Sequence, residues 1–368
     1  MARFLVFCVL FLGCTRPQVF THQDKLVNEL KFSEERHFKS IRQLTFGGTN
    51  AEAYWSYDGK WLTFQHKGKG ILLKNGQELQ CDQIFAIRSD GSDVKQISNG
   101  KGRTTCSYFF PKNDRILFSS TFAFDENCPP RPDMSRGYVW PVYPTYMFYS
   151  TTLTGQDLKL LEPNSPKSYN AEMVTCYNGA VLFTSDRSGD LELYGAKLDK
   201  KNAKIINIKR LTHSIGYDGG GVFSPDCKQI AWRASRPKTK LEISDYKELL
   251  KNHLVRPTAL EIWTANTDGS QKRQVTNLGV ASFAPAFTHD GKKIIFSANS
   301  HDPKGRQFDL YLINLDGSGL EQVTFSKSFD SFPMFSSDGK YLAFSSNRNG
   351  KEPHETNVFV AEWVDNPN

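Results

Sequence analysis

The chain has no hydrophobic run long enough to cross a bilayer. Its most continuous apolar stretch, Phe4 to Leu12, has nine residues, whereas a spanning helix needs about 20. It has no Cys-x-x-Cys pair and no histidine cluster at metal spacing, so a zinc site is not expected. It has no Gly-x-Ser-x-Gly elbow, which an α/β-hydrolase nucleophile requires. It has no basic stripe with interleaved aromatics. The net charge of +7 comes from lysines scattered through turns, such as Lys60, Lys112, Lys228, Lys292 and Lys340. That pattern serves solubility and argues against a nucleic-acid partner.

What is present at the N-terminus fits a leader. Arg3 supplies a positive start, and the run Phe4–Leu12 is the length of a signal-peptide core. Leu12-Gly13-Cys14 resembles a bacterial lipobox, with Cys14 as the lipidated residue. Ordinary signal cleavage is the alternative. A lipid on Cys14 would be the chain's one attachment to a membrane. Beyond Cys8 and Cys14 there are five cysteines, Cys81, Cys106, Cys128, Cys176 and Cys227. An exported chain allows disulfides, and an odd number leaves one thiol without a partner in the chain. Cys106 and Cys128 read as the disulfide pair, with two reduced cysteines as the alternative. Cys176 and Cys227 read as plain core or turn residues.

Aromatics are abundant at 13%, with 27 Phe and 14 Tyr, which suits strands and sheet-to-sheet cores. They fall in a repeat. Trp55-Ser-Tyr-Asp-Gly-Lys-Trp-Leu-Thr-Phe64 matches Phe223 to Trp232, Phe287 to Phe296 and Phe335 to Phe344. Weaker copies start at Phe109 and Val174, which makes six. Each copy is strand, tight turn, strand, because Asp-Gly provides the positive-φ turn between antiparallel partners. A third alternating strand follows each copy, and a short fourth ends in signatures such as Gln274-Val-Thr276 and Gln322-Val-Thr324. Four antiparallel strands form a propeller blade. The sixth copy lacks its fourth strand, while Ile41 to Thr45 carries the missing signature before the first copy. The fold expected is all-β: a six-bladed β-propeller of four-stranded blades, the N-terminal strand closing the last blade and leaving no open edge.

The expected organisation is a leader over 1–14, a tether over 15–40, the propeller over 41–364 and a short tail over 365–368. Two insertions interrupt it, at about 122–144 and 235–257. In the second, Ile243 to Leu254 predicts a short amphipathic helix with Ser244 as N-cap and Leu249, Leu250 and Leu254 as its packed face.

The repeat resembles the TolB-type propeller consensus, close to Phe-Ser-Pro-Asp-Gly-Lys-x-Ile-x-Phe, over about Ile41 to Trp363. Segments such as Gly137-Tyr-Val-Trp140, Tyr217-Asp-Gly-Gly220 and Phe332-Pro-Met-Phe-Ser336 are similar to a family of exported bacterial TolB-like proteins. The resemblance implies an exported location. It does not extend to the separate α/β domain of TolB, nor to the hydrolase domain of peptidases that share the repeat.

Propellers bind at the mouth of the central channel. Aligning the copies places Asn50, Thr104, Asn170, Asp218, Ser282 and Asp330 at one position near the start of each innermost strand, with Glu52 and Glu172 two residues on. Converging short polar side chains suit a cation, a peptide amine or a sugar. Such residues also cap turns through the backbone. His213, Tyr217 and Arg103 are expected to flank the mouth. His213 reads as a loop hydrogen-bonding residue, with a catalytic base as the alternative. His289 reads as solvated, and His301-Asp302 as a loop pair rather than a metal pair. No cofactor and no metal are called for. The function expected is a monomeric, non-catalytic module of the cell envelope that binds a protein or peptide. The alternative is a hydrolase or lyase acting on glycans or peptides through carboxylates at the mouth, which would be Glu52, Glu172, Asp218 and Asp330.

Overall fold

The computed structural model describes residues 30–71, 76–135, 137–199, 201–302 and 304–367. The expected leader with Cys14, and residues 15–29 of the expected tether, lie outside the described residues. Among the described residues no helix is long and apolar enough to cross a membrane.

Six four-stranded antiparallel sheets form the ring. Their innermost strands are Thr49–Trp55, Thr104–Phe109, Asn170–Thr175, Asp218–Phe223, Ser282–Phe287 and Asp330–Phe335. Each blade runs outward through two further strands to an outer one. In blade one these are Trp61–Gly68, Leu79–Arg88 and Lys95–Gln96. The sixth blade closes as the repeat predicts. Its outer strand is Phe38–Gln43, paired antiparallel with Asn357–Trp363, with Ile41 opposite Ala361.

The turn chemistry repeats as well. Ser56 Oγ donates to Asp58 Oδ1 at 2.7 Å, and the Trp61 backbone N–H donates back to Ser56 Oγ at 3.0 Å. The same pattern holds at Ser224/Asp226, Thr288/Asp290 and Ser336/Asp338. Side-chain acceptors thus satisfy turn donors that the ladder leaves free.

The core lies between blades. Phe64, Leu62 and Trp55 of blade one meet Val358, Val360 and Ala343 of blade six. Trp232 and Ile230 of blade four meet Leu182, Leu193 and Val174 of blade three. Equivalent clusters fill the other four junctions. A further cluster is different in kind. It joins Tyr146, Tyr169 and Tyr217 near the channel to Val142, Tyr246 and Val255 from the insertions.

The second insertion contains a helix over Lys240–Lys251, starting earlier than expected. Thr239 caps it, and Glu242 returns the bond to the cap backbone. This reciprocal box fixes the start. Ser244, expected as the cap, is an exposed residue inside the helix. Tyr246 and Leu249 are its buried face, while Leu254 belongs to a strand.

The disulfides correct the expected pairing. Cys81 bonds Cys128, Cys176 bonds Cys227, and Cys106 is free. Cys176 and Cys227 sit at the hairpins of adjacent blades, so the repeat itself brings them together. Cys81 lies on the third strand of blade one and takes Cys128 at the base of the first insertion.

Candidate functional site

The two insertions meet above one end of the channel. Trp140–Pro141 pairs antiparallel with Leu254–Val255, forming a two-stranded ribbon. The helix is held beside it by Tyr246, whose hydroxyl donates to Asp190 Oδ1 at 2.5 Å. Under the ribbon lies a cavity of about 790 Å³. That is ordinary for a pocket enclosing a small ligand or the end of a chain.

The wall is built by one repeated irregularity. In every innermost strand the register slips by one residue, a β-bulge, as between Ala51 and Tyr54. Glu52, Cys106, Glu172, Gly220, Ala284 and Phe332 occupy this position, all with φ between 51° and 60°. All six line the cavity. Five are not glycine, so the ring holds strained backbone where it faces the channel, as functional sites often do.

The wall has two halves. Blades one to four carry the polar half. Glu172 is clamped by Arg233, and it also accepts from Thr184 Oγ1 and the Gly220 N–H, both at 2.7 Å. Arg233 also donates to the Tyr217 hydroxyl and lies over Trp140 and Tyr217 at 5.2 and 5.1 Å from the ring centroids. Burial opposes its charge, but Glu172 more than compensates and holds the guanidinium above its usual range. Gly220 is required here, because a Cβ would stand 1.8 Å from Arg233 Nη1. Arg103 lies 3.4 Å from Asp82 in the same half.

Glu52 is the exception among the acids. Gln65 Nε2 approaches its Oε1 at 3.3 Å, and the Cys106 thiol is its other partner. Burial, aided by the charge of Glu172, pushes its pKa up to about 7. The Cys106 thiol is pushed well above its usual range by burial, with Glu52 and Glu172 adding to the effect. It is therefore a neutral thiol and a poor nucleophile. Glu52 can exchange a proton near neutrality, whereas Glu172 is tied up as an ion pair.

Blades five and six carry the apolar half. Phe283 packs on Phe308 and Phe332 at 5.3 and 5.7 Å, and Phe308 on Phe329 at 5.9 Å. Trp140 of the ribbon closes over Phe283 at 5.9 Å.

The structure brings together Glu52 and Glu172 from the expected ring, with Tyr217 and Arg103 nearby. It does not bring the other six there. Asn50, Thr104, Asn170, Asp218, Ser282 and Asp330 are fully buried and absent from the cavity wall. Asn50 donates to Gly47 O and Thr356 O and takes a bond from His66; Asn170 is bonded by Ser185 and Arg187. Thr104 bonds Ser120, Asp218 takes Trp232 Nε1 and Arg236, and Asp330 takes Arg348. Five of them tie strand ends together, while the Ser282 hydroxyl is buried without a hydrogen-bond partner. In a regular strand they would share a face with the residues two positions on, but the bulge rotates that position into the channel. His213 forms a loop bond from Nδ1 to its neighbour Thr212 O at 2.7 Å and does not line the cavity. Asp302 accepts from three backbone N–H groups of its own loop, and His301 turns instead to Asp309 at 3.1 Å. Among the described residues no group of His, Cys, Asp or Glu side chains is set to hold a metal ion.

Arg233 is the main residue that sequence reasoning missed. A signal existed. The position after the aromatic in each second strand reads Gln65, Ser119, Thr184, Arg233, Ser297 and Ser345. A single large cation among small polar residues marks the channel's special side.

Residues 255–358 match the family model described as the TolB beta propeller domain. Over 103 residues the chain is 30% identical to dipeptidyl-peptidase 5 of Porphyromonas gingivalis, which is 26% of this chain and 14% of that protein. The chain therefore spans a small part of that relative. Among solved structures it is similar in fold to a TolB of Agrobacterium tumefaciens, with TM-score 0.52, 16% identity, and coverage of 88% of this chain and 97% of the other. It is also similar to an oligogalacturonate lyase of Vibrio parahaemolyticus, with TM-score 0.50, 10% identity, and coverage of 89% and 95%.

Proposed function

We propose that this TolB-like six-bladed propeller is an exported binding module of the cell envelope, which captures a segment of a protein or peptide partner beneath its ribbon. One observation carries the reading: a partly covered cavity at the channel mouth, half aromatic and half charged, overhung by two insertions that the blade architecture does not need. Extended peptides present apolar and polar groups on opposite sides, which such a wall matches. Two disulfides support export, because such bonds persist in oxidising compartments. The leader-like start supports it too, and Cys14 is the proposed lipid attachment.

The test is site-specific photocrosslinking in intact cells. A photoreactive residue replaces Tyr138, which is exposed and lines the cavity. A discrete adduct that disappears in Phe283→Asp supports the reading. An adduct pattern unchanged by that substitution refutes it.

A second reading has its own observation. Glu52, pushed up to about 7, is suited to general acid–base work near neutral pH. The purified chain is incubated with peptide and oligosaccharide mixtures, and products are followed by mass spectrometry. Turnover abolished by Glu52→Gln establishes a hydrolase or lyase. Products equal in both proteins, or none, remove it.

A further inference from the structure

We infer that the cavity recognises a protonated amine joined to an aromatic or branched apolar body. This rests on the binding reading above and narrows it to a ligand class.

The inference follows from which charges are already used. Glu172 has Arg233, and Asp82 has Arg103. Glu52 has no ion-pair partner among the described residues, only the Gln65 amide and a thiol. Arg233 is largely engaged: its Nη2 serves both Glu172 and Tyr217, its guanidinium lies against Trp140 and Tyr217, and its unpaired Nε is buried out of reach of the cavity. It offers little to an anionic ligand. Arg306 belongs to the blade-five rim and is exposed, where water screens it. The unmet demand in the enclosed part is thus for one positive charge beside Glu52.

The rest of the wall specifies what carries that charge. Phe283, Phe308, Phe329 and Phe332 offer ring faces and edges but no hydrogen-bonding groups. They would leave the hydroxyls of a sugar unpaired, which is costly in an enclosed site. They suit an apolar side chain, and their faces also favour a nearby cation. An ammonium with two or three N–H donors can satisfy the Glu52 carboxylate and the Gln65 carbonyl.

Two sources share this chemistry, the free N-terminus of a peptide and a small amine. Calorimetry on the full chain separates them with three probes: Phe-Phe amide, N-acetyl-Phe-Phe amide and phenethylamine. Phe-Phe amide is expected to bind at least tenfold more tightly than its acetylated form at pH 7.5. Glu52→Gln should remove that tenfold difference and leave the acetylated probe unchanged. Glu52→Asp, with the charge kept, should retain part of it. Affinity for phenethylamine, which stays protonated throughout, should fall as pH drops from 8 to 6, because Glu52 takes up a proton in its setting of Gln65, Cys106, Glu172, Asp82 and Arg233. A peptide probe binding tenfold more tightly than phenethylamine identifies a chain terminus; equal affinities identify a small amine.

Equal binding of free and acetylated probes, full affinity in Glu52→Gln, or no binding of either amine overturns the inference. If the Tyr138-position crosslink and its loss in Phe283→Asp persist, the amine assignment falls alone. If they vanish as well, the binding reading falls with it.

Discussion

Replacing Arg348 tests whether the ring is held shut by buried charge. Its guanidinium donates to Glu35 at 2.8 and 3.1 Å and to Asp330 at 2.9 Å. It also reaches Leu30 O at 3.1 Å and lies 5.0 Å from the Phe344 centroid. The side chains of Arg348, Glu35 and Asp330 are 3%, 0% and 0% exposed, so solvent screens little of this network. It ties the segment before the closing strand to the start of blade six's inner strand. Arg348→Met keeps much of the volume but strands two buried carboxylates. Breaking such a pair from one side costs about 3–5 kcal/mol. For a ring of this length that is roughly 4–7 °C in Tm, from the usual unfolding entropy per residue. Urea and thermal unfolding followed by tryptophan fluorescence measure it. Adding Glu35→Gln and Asp330→Asn should recover most of the stability at pH 7.5. A loss below about 1 kcal/mol, or no recovery on removing the two carboxylates, would refute the reasoning.

Three further outcomes are expected. Gly220→Ala places a methyl against Arg233 at φ +60° and should cost about 1–2 kcal/mol in thermal melts while weakening the Tyr138-position crosslink. Peptide mapping without reduction should recover Cys81 with Cys128, Cys176 with Cys227, and alkylated Cys106; removing Cys176–Cys227, a separation of 51 residues, should cost up to about 4 kcal/mol in urea, and Cys106→Ser almost nothing. For Glu52, the folded chain holds the proton more tightly than the unfolded one, so stability declines as pH rises from about 4.5 to 7; Glu52→Gln should therefore be more stable than the parent by roughly 1–3 kcal/mol at pH 8 and equal to it at pH 4.

The ring was legible because its information is local and repeated. Asp-Gly turns, flanking aromatics and the Leu-Thr signature each occur several times, so the closing strand was found by counting what blade six lacked. The disulfides were less legible. Cys176 and Cys227 lie in neighbouring repeats at comparable turn positions, yet reading each turn alone hides that adjacent hairpins touch. Cys106 was misassigned for the opposite reason, since it lies in the same blade as the insertion bearing Cys128 but faces the channel. The site failed at one step. Alternation by two residues predicts that Asn50 and Glu52 share a face, and a bulge breaks that rule without leaving a compositional mark. Glycine would have flagged the positive φ, but only Gly220 does so; Glu52, Cys106, Glu172, Ala284 and Phe332 adopt it against their preference.

That same irregularity explains how a sixfold fold makes a one-sided site. The position two residues before each bulge is polar and buried in all six blades, and in five of them its side chain is taken up by structural hydrogen bonds. The bulge position carries two acids, a thiol, a glycine, an alanine and a phenylalanine; each lines the channel and makes its own contacts there, as Glu172 does with Gly220 and Arg233 of blade four. Blade four then adds Arg233, which lies in the space that Gly220 leaves open. The insertions break the symmetry further, as they arise from blades two and four and join over the charged half with Trp140 leaning on Phe283. Selectivity in this architecture therefore resides in six side chains and a ribbon. The inter-blade clusters hold them in place and count none of the six among their buried members.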